Sequence, residues 1–259
     1  MNAPDAAALV RLEGAGKRFD NGTVALAGLD LALRRGEFLS ILGPSGCGKT
    51  TVLRLIAGLA QPSAGRVAWA EPAGRDGRDA LGFVFQEPTL LPWRTARGNV
   101  ALPLILAGVA RTEARARAET ALAAVGLEGA GHLFARQLSG GMRMRVSIAR
   151  ALVTRPALLL MDEPFAALDE ITRERLNADL LRLWREQALT VAFVTHSVYE
   201  SVFLSMRVVV MARAPGRVAE EITIAAPYPR TESFRAGADY AAACRQVSAA
   251  LRRAMGEEA

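Results

Sequence analysis

Residues Gly43-Pro44-Ser45-Gly46-Cys47-Gly48-Lys49-Thr50-Thr51 fit the pattern Gly-x-x-x-x-Gly-Lys-Ser/Thr. The chemistry such a run serves is phosphate binding. Glycines let successive backbone N–H groups turn inward round an anion, and the start of the following helix adds its positive end. Lys49 can reach between the β- and γ-phosphates of a nucleotide, and Thr50 offers a hydroxyl to Mg2+. A second acidic site lies at Leu158-Leu159-Leu160-Met161-Asp162-Glu163, an apolar strand ending in two carboxylates. Functional side chains gather at the carboxyl ends of parallel strands. Asp162 there can hold Mg2+ through water, and Glu163 can polarise an attacking water. The two sites together predict binding and hydrolysis of Mg·ATP.

These residues need a scaffold, and the chain reads as one. Glu37–Leu42 is a buried strand leading into the phosphate loop, and Thr51–Leu59 is the helix the loop opens, punctuated by Gly58, Pro62 and Gly65. Val10–Phe19 and Leu26–Leu33 alternate as strands of an antiparallel patch. Arg66–Trp69 and Leu81–Phe85 are short strands around a Gly/Asp/Arg-rich turn. From Pro88 to Arg155 Ala, Arg and Leu dominate, which predicts a helical insert with helices at Thr112–Val125 and Gly141–Leu152. Beyond it, strand Ala157–Met161, helix Glu170–Gln187, strand Thr190–Thr195, helix Val198–Leu204 and strands Arg207–Met211 and Arg217–Ile224 alternate before a closing helix at Tyr240–Met255. Strands alternating with helices argue for a parallel sheet covered on both faces. The expectation is an α/β fold: a P-loop NTPase core with a mostly parallel sheet, an N-terminal antiparallel β patch and a helical subdomain insert.

Composition bounds the classes. The 259 residues are 51% hydrophobic and 22% charged, a globular balance. No apolar run reaches the roughly 18 residues a membrane span needs, and Met1–Leu9 carries Asp5 without a basic segment ahead of an apolar one. The chain is therefore expected to stay in the cytosol. The net charge is +6, but the arginines sit near acids, as in Arg111–Glu119, and the tail arginines Arg230, Arg235, Arg245, Arg252 and Arg253 are partly offset by Glu257 and Glu258. That predicts solvated faces, and no nucleic-acid partner. Lysine occurs only at 17 and 49 and histidine only at 132 and 196, so each position carries more information than usual. Cys47 and Cys244 make no disulfide framework; Cys47 reads as a tolerated small side chain in the loop.

Further motifs resemble the ATP-binding cassette (ABC) ATPases. Leu138-Ser139-Gly140-Gly141-Met142 resembles that family's signature motif, and Gln86 in Phe83-Val84-Phe85-Gln86 its Q-loop glutamine. Ala167-Leu168-Asp169 resembles the D-loop, His196 the switch histidine, and Phe19 sits where an aromatic would stack on adenine. All lie in family order between about Val10 and Ile224. Two departures are that Met142 stands where Gln is frequent, and Phe19 where Tyr is more usual; Phe still stacks.

The resemblance implies an ABC ATPase domain over 1–230, with a RecA-like core at about 1–87 and 156–230, a helical subdomain at about 88–155, and a helical tail over 231–259. It implies a homodimer with two ATP molecules between subunits, Ser139 and Gly141 of one copy facing the γ-phosphate held by Lys49 of the other. Gln86 would sense Mg2+ and relay closure, and His196 would contact the γ-phosphate and order the water with Glu163. Met142 and the stretch Gln86–Trp93 resemble importers of nitrate, sulfonates, taurine and pyrimidine precursors. That implies permease subunits, docked in part by Leu90, Leu91 and Trp93, a solute-binding protein served indirectly, and a peripheral place on the cytoplasmic face of the inner membrane. A soluble cassette ATPase of DNA repair or translation would bring a long coiled-coil insert or a second cassette, and a GTPase an Asn-Lys-x-Asp motif; the sequence has none of these.

Overall fold

The computed structural model describes residues 8–70, 81–213 and 215–256; the Gly/Asp/Arg-rich turn expected after Trp69 lies outside them. Along the chain run β1 (Ala8–Arg18), β2 (Val24–Arg34), β3 (Phe38–Leu42), α1 (Lys49–Ile56), β4 (Ala64–Trp69) and β5 (Leu81–Val84). Then come α2 (Ala96–Val100), α3 (Leu102–Leu106), α4 (Arg111–Ala124), α5 (Gly140–Leu152), β6 (Leu158–Asp162) and α6 (Glu170–Gln187). The chain continues through β7 (Thr190–Thr195), α7 (Val198–Leu204), β8 (Arg207–Ala212), β9 (Arg217–Thr223), α8 (Glu232–Arg235) and α9 (Ala238–Met255). These elements fall into two compact units, Met1–Arg78 with Ala188–Ala259, and Asp79–Gln187.

In the first unit β1 pairs antiparallel with both β2 and β4, the patch expected from the alternation. Strand β3 pairs parallel with β7 and β8, and β9 returns antiparallel on β8. Every residue of β3, β7 and β8 is buried, which is why they read as continuous apolar runs. The one hydroxyl inside β3 is satisfied: Ser40 Oγ lies 2.5 Å from Ser205 Oγ. Helix α9 packs on β8 and α7. Arg230, counted above among the tail's surface charges, is instead buried. Its guanidinium donates to the carbonyls of Val202, Phe203 and Ser205 and to those of Ile224 and Ala226, so it caps the end of α7 and anchors the chain leading to α9.

In the second unit β5 pairs parallel with β6, and α4 and α5 pack together. Helix α6 buries Leu176, Leu180, Leu183 and Trp184, a spacing of three and four that gathers them on one face. Thr95 caps α2 by accepting from Gly98 N at 3.1 Å. Helices α2 and α3 have five residues each, too short for the periodicity that revealed α4 and α5. Helix α1 begins at Lys49, two residues before the sequence reading, because Gly48 takes the left-handed φ of 95° that turns the loop into the helix.

Candidate active site

The phosphate loop starts where β3 ends. Its backbone is packed closely from outside: a Cβ on Gly43 would meet the Met211 carbonyl oxygen at 2.8 Å, and one on Gly48 would meet the Ala25 carbonyl oxygen at 2.9 Å. Both positions therefore exclude any side chain, and Gly48 also needs its positive φ. The Lys49 ammonium is buried and folds over the loop, donating to the Gly43 carbonyl at 2.8 Å and the Pro44 carbonyl at 3.1 Å. No described side chain caps α1 at Gly48, so the positive end of that helix serves the loop itself. Thr50 is half-buried and Thr51 buried. Burial pushes the Cys47 thiol pKa up, against the opposing pull of the Lys49 charge; Cys47 and Cys244 are both free and buried.

His196 follows β7 by one residue. Leu42 and Thr195 are partners in the parallel β3–β7 ladder, so Gly43 and His196 leave neighbouring strand ends side by side. The turn carrying His196 is pinned through Thr195, whose Oγ1 donates to Glu200 Oε2 at 2.5 Å and accepts from Ser197 N at 3.0 Å. Ser197 in turn caps α7, accepting from Glu200 N. His196 itself is exposed. Phe19 stands at the end of β1, partly exposed, in a turn closed by Phe19 N to the Thr23 carbonyl and Gly22 N to the Phe19 carbonyl, each at 2.9 Å. The Lys17 ammonium lies 5.5 Å from its ring centre.

In the second unit Val84 and Met161 are partners in the β5–β6 ladder. Gln86 and Glu163 each lie two residues further on, so both leave the same edge of that strand pair. Asp162 and Glu163 are half-buried and Gln86 exposed. Glu163 has φ 46°, a conformation uncommon outside glycine and the kind of local strain that collects at working sites. Arg173 on α6 steadies the following turn, donating to the Phe165 carbonyl at 3.3 Å and the Leu168 carbonyl at 2.8 Å.

Ser139 is the N-cap of α5, its Oγ accepting from Met142 N at 3.2 Å. Cβ atoms on Gly140 and Gly141 would meet Leu168 Cδ2 at 3.7 Å and Thr172 Cγ2 at 2.9 Å, so the start of α5 lies against the segment Leu168–Thr172. Asp169 caps α6, its Oδ1 accepting from Thr172 N at 2.9 Å, and that bond holds its carboxyl below the ordinary pKa.

Three groups thus form locally: Gly43–Thr51 with His196, Gln86 with Asp162 and Glu163, and Ser139–Met142 with Asp169. Phe19 stands on its own turn. Two residues escaped the sequence reading. Arg150 on α5 donates to the carbonyls of Pro88 and Thr89 at 2.9 and 2.8 Å, holding the segment after Gln86; burial pulls its pKa down. Asn99 is fully buried and bonds Leu91 N and the carbonyls of Leu91, Arg94 and Thr95, which shapes the loop that presents Trp93, 71% exposed.

A glycine-rich loop closed by a buried lysine is suited to bind the phosphates of a nucleotide, and an acid pair at a strand end is of the kind that hydrolysis of a nucleoside triphosphate uses. The sequence profile described as "ABC transporter" matches residues 26–166. The chain belongs to the ABC transporter family. This ABC ATPase is 43% identical over 221 residues to a putative ATP-binding protein of Brucella abortus, covering 85% of each chain. It is 45% identical over 203 residues to the taurine import ATP-binding protein TauB of Escherichia coli, covering 78% of this chain and 80% of the relative. A solved ATP-binding cassette, a dimer in a post-hydrolysis state with ADP and Pi, superposes with a TM-score of 0.73 at 35% identity, covering 84% of this chain and 100% of that one. The ABC ATPase binds and hydrolyses ATP on an α/β fold with a mostly parallel sheet. Among the described residues no helix is long and apolar enough to cross a membrane.

Proposed function

We propose that this ABC ATPase is the motor subunit of an importer for a small anionic solute such as nitrate, a sulfonate or taurine. The observation that carries the reading is the 45% identity to a taurine import ATP-binding protein over most of both chains. In this reading two copies form a homodimer with ATP at their interface, as the dimeric cassette with ADP and Pi suggests. Permease subunits in the membrane are the partners, served by a solute-binding protein, with the ATPase peripheral on the cytoplasmic face of the inner membrane. The reading keeps a RecA-like core over about 1–87 and 156–230, a helical subdomain over 88–155, and a tail over 231–259.

The residues take these roles. Gly43–Thr51 lines the phosphates: backbone N–H groups of Ser45, Gly46, Cys47, Gly48, Lys49, Thr50 and Thr51 face them, Gly43 and Pro44 shape the entry to the loop, and the Lys49 ammonium leaves the Gly43 and Pro44 carbonyls for the β- and γ-oxygens. Phe19 stacks on the adenine. Glu163 orients the attacking water and takes its proton, His196 contacts the γ-phosphate, and Gln86 relays the state of the site towards Leu90, Leu91 and Trp93, which meet the permease. Ser139, Gly140, Gly141 and Met142 of the second copy lid the γ-phosphate with a helix start and a hydroxyl, and Asp169 shapes the dimer contact beside them.

The Thr50 hydroxyl and the Asp162 carboxylate, with Gln86, are hard oxygen donors few in number, which fits Mg2+, an ion that keeps waters and substrate phosphates as its other ligands. When bound, Mg2+ neutralises charge on the β- and γ-oxygens.

The test is affinity purification from membranes, identification of the co-purifying permease and its solute-binding protein, and a thermal-shift screen of that protein. Stabilisation by taurine, alkyl sulfonates or nitrate supports the reading. Stabilisation by a pyrimidine precursor or another solute class would move it within the importers, and purification without any membrane protein would refute it.

A further inference from the structure

The phosphate loop is gripped from behind by two residues that lie outside every nucleotide motif. A phosphate cradle turns its N–H groups inward, so its carbonyl oxygens face outward and need partners of their own. The Gly43 and Pro44 carbonyls bond to Lys49. The Ser45 carbonyl is met from outside by Arg213, directly after β8, whose Nε and Nη2 approach it at 3.4 and 3.3 Å. Gly216, directly before β9, sits against the next outward carbonyl: a Cβ there would overlap the Cys47 carbonyl oxygen and come within 2.8 Å of the Ala25 carbonyl oxygen.

Gly216 is also stitched to β2. Its N–H donates to the Ala25 carbonyl at 3.0 Å, and its carbonyl accepts from Ala27 N at 3.2 Å. Ala25 and Leu26 in turn press on Gly48 from that side. The loop is therefore backed by β2 together with Gly216, and met at its outer rim by Arg213. The Arg213 guanidinium also adds a second positive charge beside that of Lys49, and both charges pull the Cys47 thiol pKa down against burial.

We propose that Arg213 and Gly216 are positioning residues for nucleotide binding, with Arg213 holding the Ser45 carbonyl outward and Gly216 letting β2 back the loop without a gap. The proposal rests on the reading of Gly43–Thr51 as the phosphate site. Arg213 is exposed and reaches only the loop's outer rim, so its loss spares the core. Affinity for Mg·ATP and Mg·ADP depends on a loop already shaped for phosphate, whereas the chemical step is carried by other residues. The effect is expected on KM and Kd, with kcat kept.

The experiment compares Arg213→Ala, Arg213→Lys, Gly216→Ala and Lys49→Ala in the full chain. It measures Kd for ATP and ADP by fluorescent-nucleotide displacement, steady-state kinetics, and the unfolding midpoint without nucleotide. Exposed and 3.3–3.4 Å long, this bond should contribute as an ordinary hydrogen bond does, about threefold to tenfold in Kd. Arg213→Ala is expected to weaken both nucleotides by that factor with the nucleotide-free midpoint and kcat unchanged, and Arg213→Lys to recover part of the loss. Gly216→Ala is expected to weaken them further.

A change below about threefold in Arg213→Ala, on the same scale, overturns the proposal. A fall in the unfolding midpoint that accounts for the affinity loss, with no recovery by lysine, overturns it as well. If Lys49→Ala also leaves affinity unchanged, the phosphate-site reading itself is what fails. If Lys49→Ala weakens binding and Arg213→Ala does not, only the positioning role fails.

Discussion

The Lys49 ammonium and the Gly43 carbonyl oxygen are 2.8 Å apart, so the first and seventh residues of the phosphate loop close it into a ring. Truncating Lys49 to alanine removes both the phosphate partner and that closure. Hydrogen bonds to a charged group are worth about 1.5–3 kcal/mol each, so Lys49→Ala should weaken ATP binding by about tenfold to a hundredfold. Equilibrium titration with a fluorescent ATP analogue measures this. Unchanged affinity would count against Gly43–Thr51 as the phosphate site.

Glu163 is half-buried at the end of β6 with its backbone at φ 46°. Glu163→Gln keeps shape and hydrogen-bonding reach but cannot take a proton from water. General-base catalysis contributes about a hundredfold to ten-thousandfold, so hydrolysis should drop by that order while ATP binding persists and the ATP-bound dimer accumulates. Single-turnover hydrolysis and size-exclusion chromatography with ATP read the two effects. Turnover at the parent rate would remove Glu163 from the catalytic role.

Ser139 serves two ends at once: its Oγ caps α5 through Met142 N at 3.2 Å, and it is proposed to face the γ-phosphate of a second copy. Aspartate separates the two. It caps a helix about as well as serine and suits the positive end of the dipole, yet it repels a phosphate. Ser139→Asp should therefore keep the unfolding midpoint within a few degrees while abolishing ATPase activity and ATP-driven dimerisation. Ser139→Ala should cost about 1 kcal/mol in stability and leave more activity than Ser139→Asp. Full activity in Ser139→Asp would rule out a phosphate facing this cap.

Most elements were legible because they are long or strongly patterned. Helix α6 and strand β7 occupy the residues that periodicity assigned them, and the nucleotide motifs are short runs whose residues lie together in sequence. What escaped depends on partners distant in the chain. Arg150 reads as one more arginine of an amphipathic helix until its guanidinium is seen on the Pro88 and Thr89 carbonyls. Asn99 reads as a polar residue between short helices until it is seen buried among four backbone groups of residues 91–95. Arg230 reads as one more surface charge of the tail because nothing local says that five carbonyls converge on it. Backbone acceptors carry no side-chain signature, so residues that work by bonding them are the hardest to find by reading.

Arg207 and Glu37 form the buried counterpart to the phosphate loop, at the opposite ends of β8 and β3. Arg207 Nε lies 2.8 Å from Glu37 Oε1 and Nη2 lies 3.0 Å from Glu37 Oε2, while Nη1 reaches Glu221 Oε2 at 2.6 Å. Nη2 also bonds the Ala32 carbonyl, which ties β8 to the antiparallel patch. Breaking a buried pair by removing one partner strands the other charge and costs about 3–5 kcal/mol. Arg207→Met should therefore lower stability by that amount, read as a shift in the urea midpoint at constant slope. Converting Glu37 as well, in Arg207→Met/Glu37→Gln, removes the stranded charge and should recover part of the loss. Both variants should keep KM for ATP at temperatures where they stay folded, because the pair lies at the far end of β3 from Gly43. A raised KM with an unchanged urea midpoint would mean that this ion pair acts on the site and not on the fold.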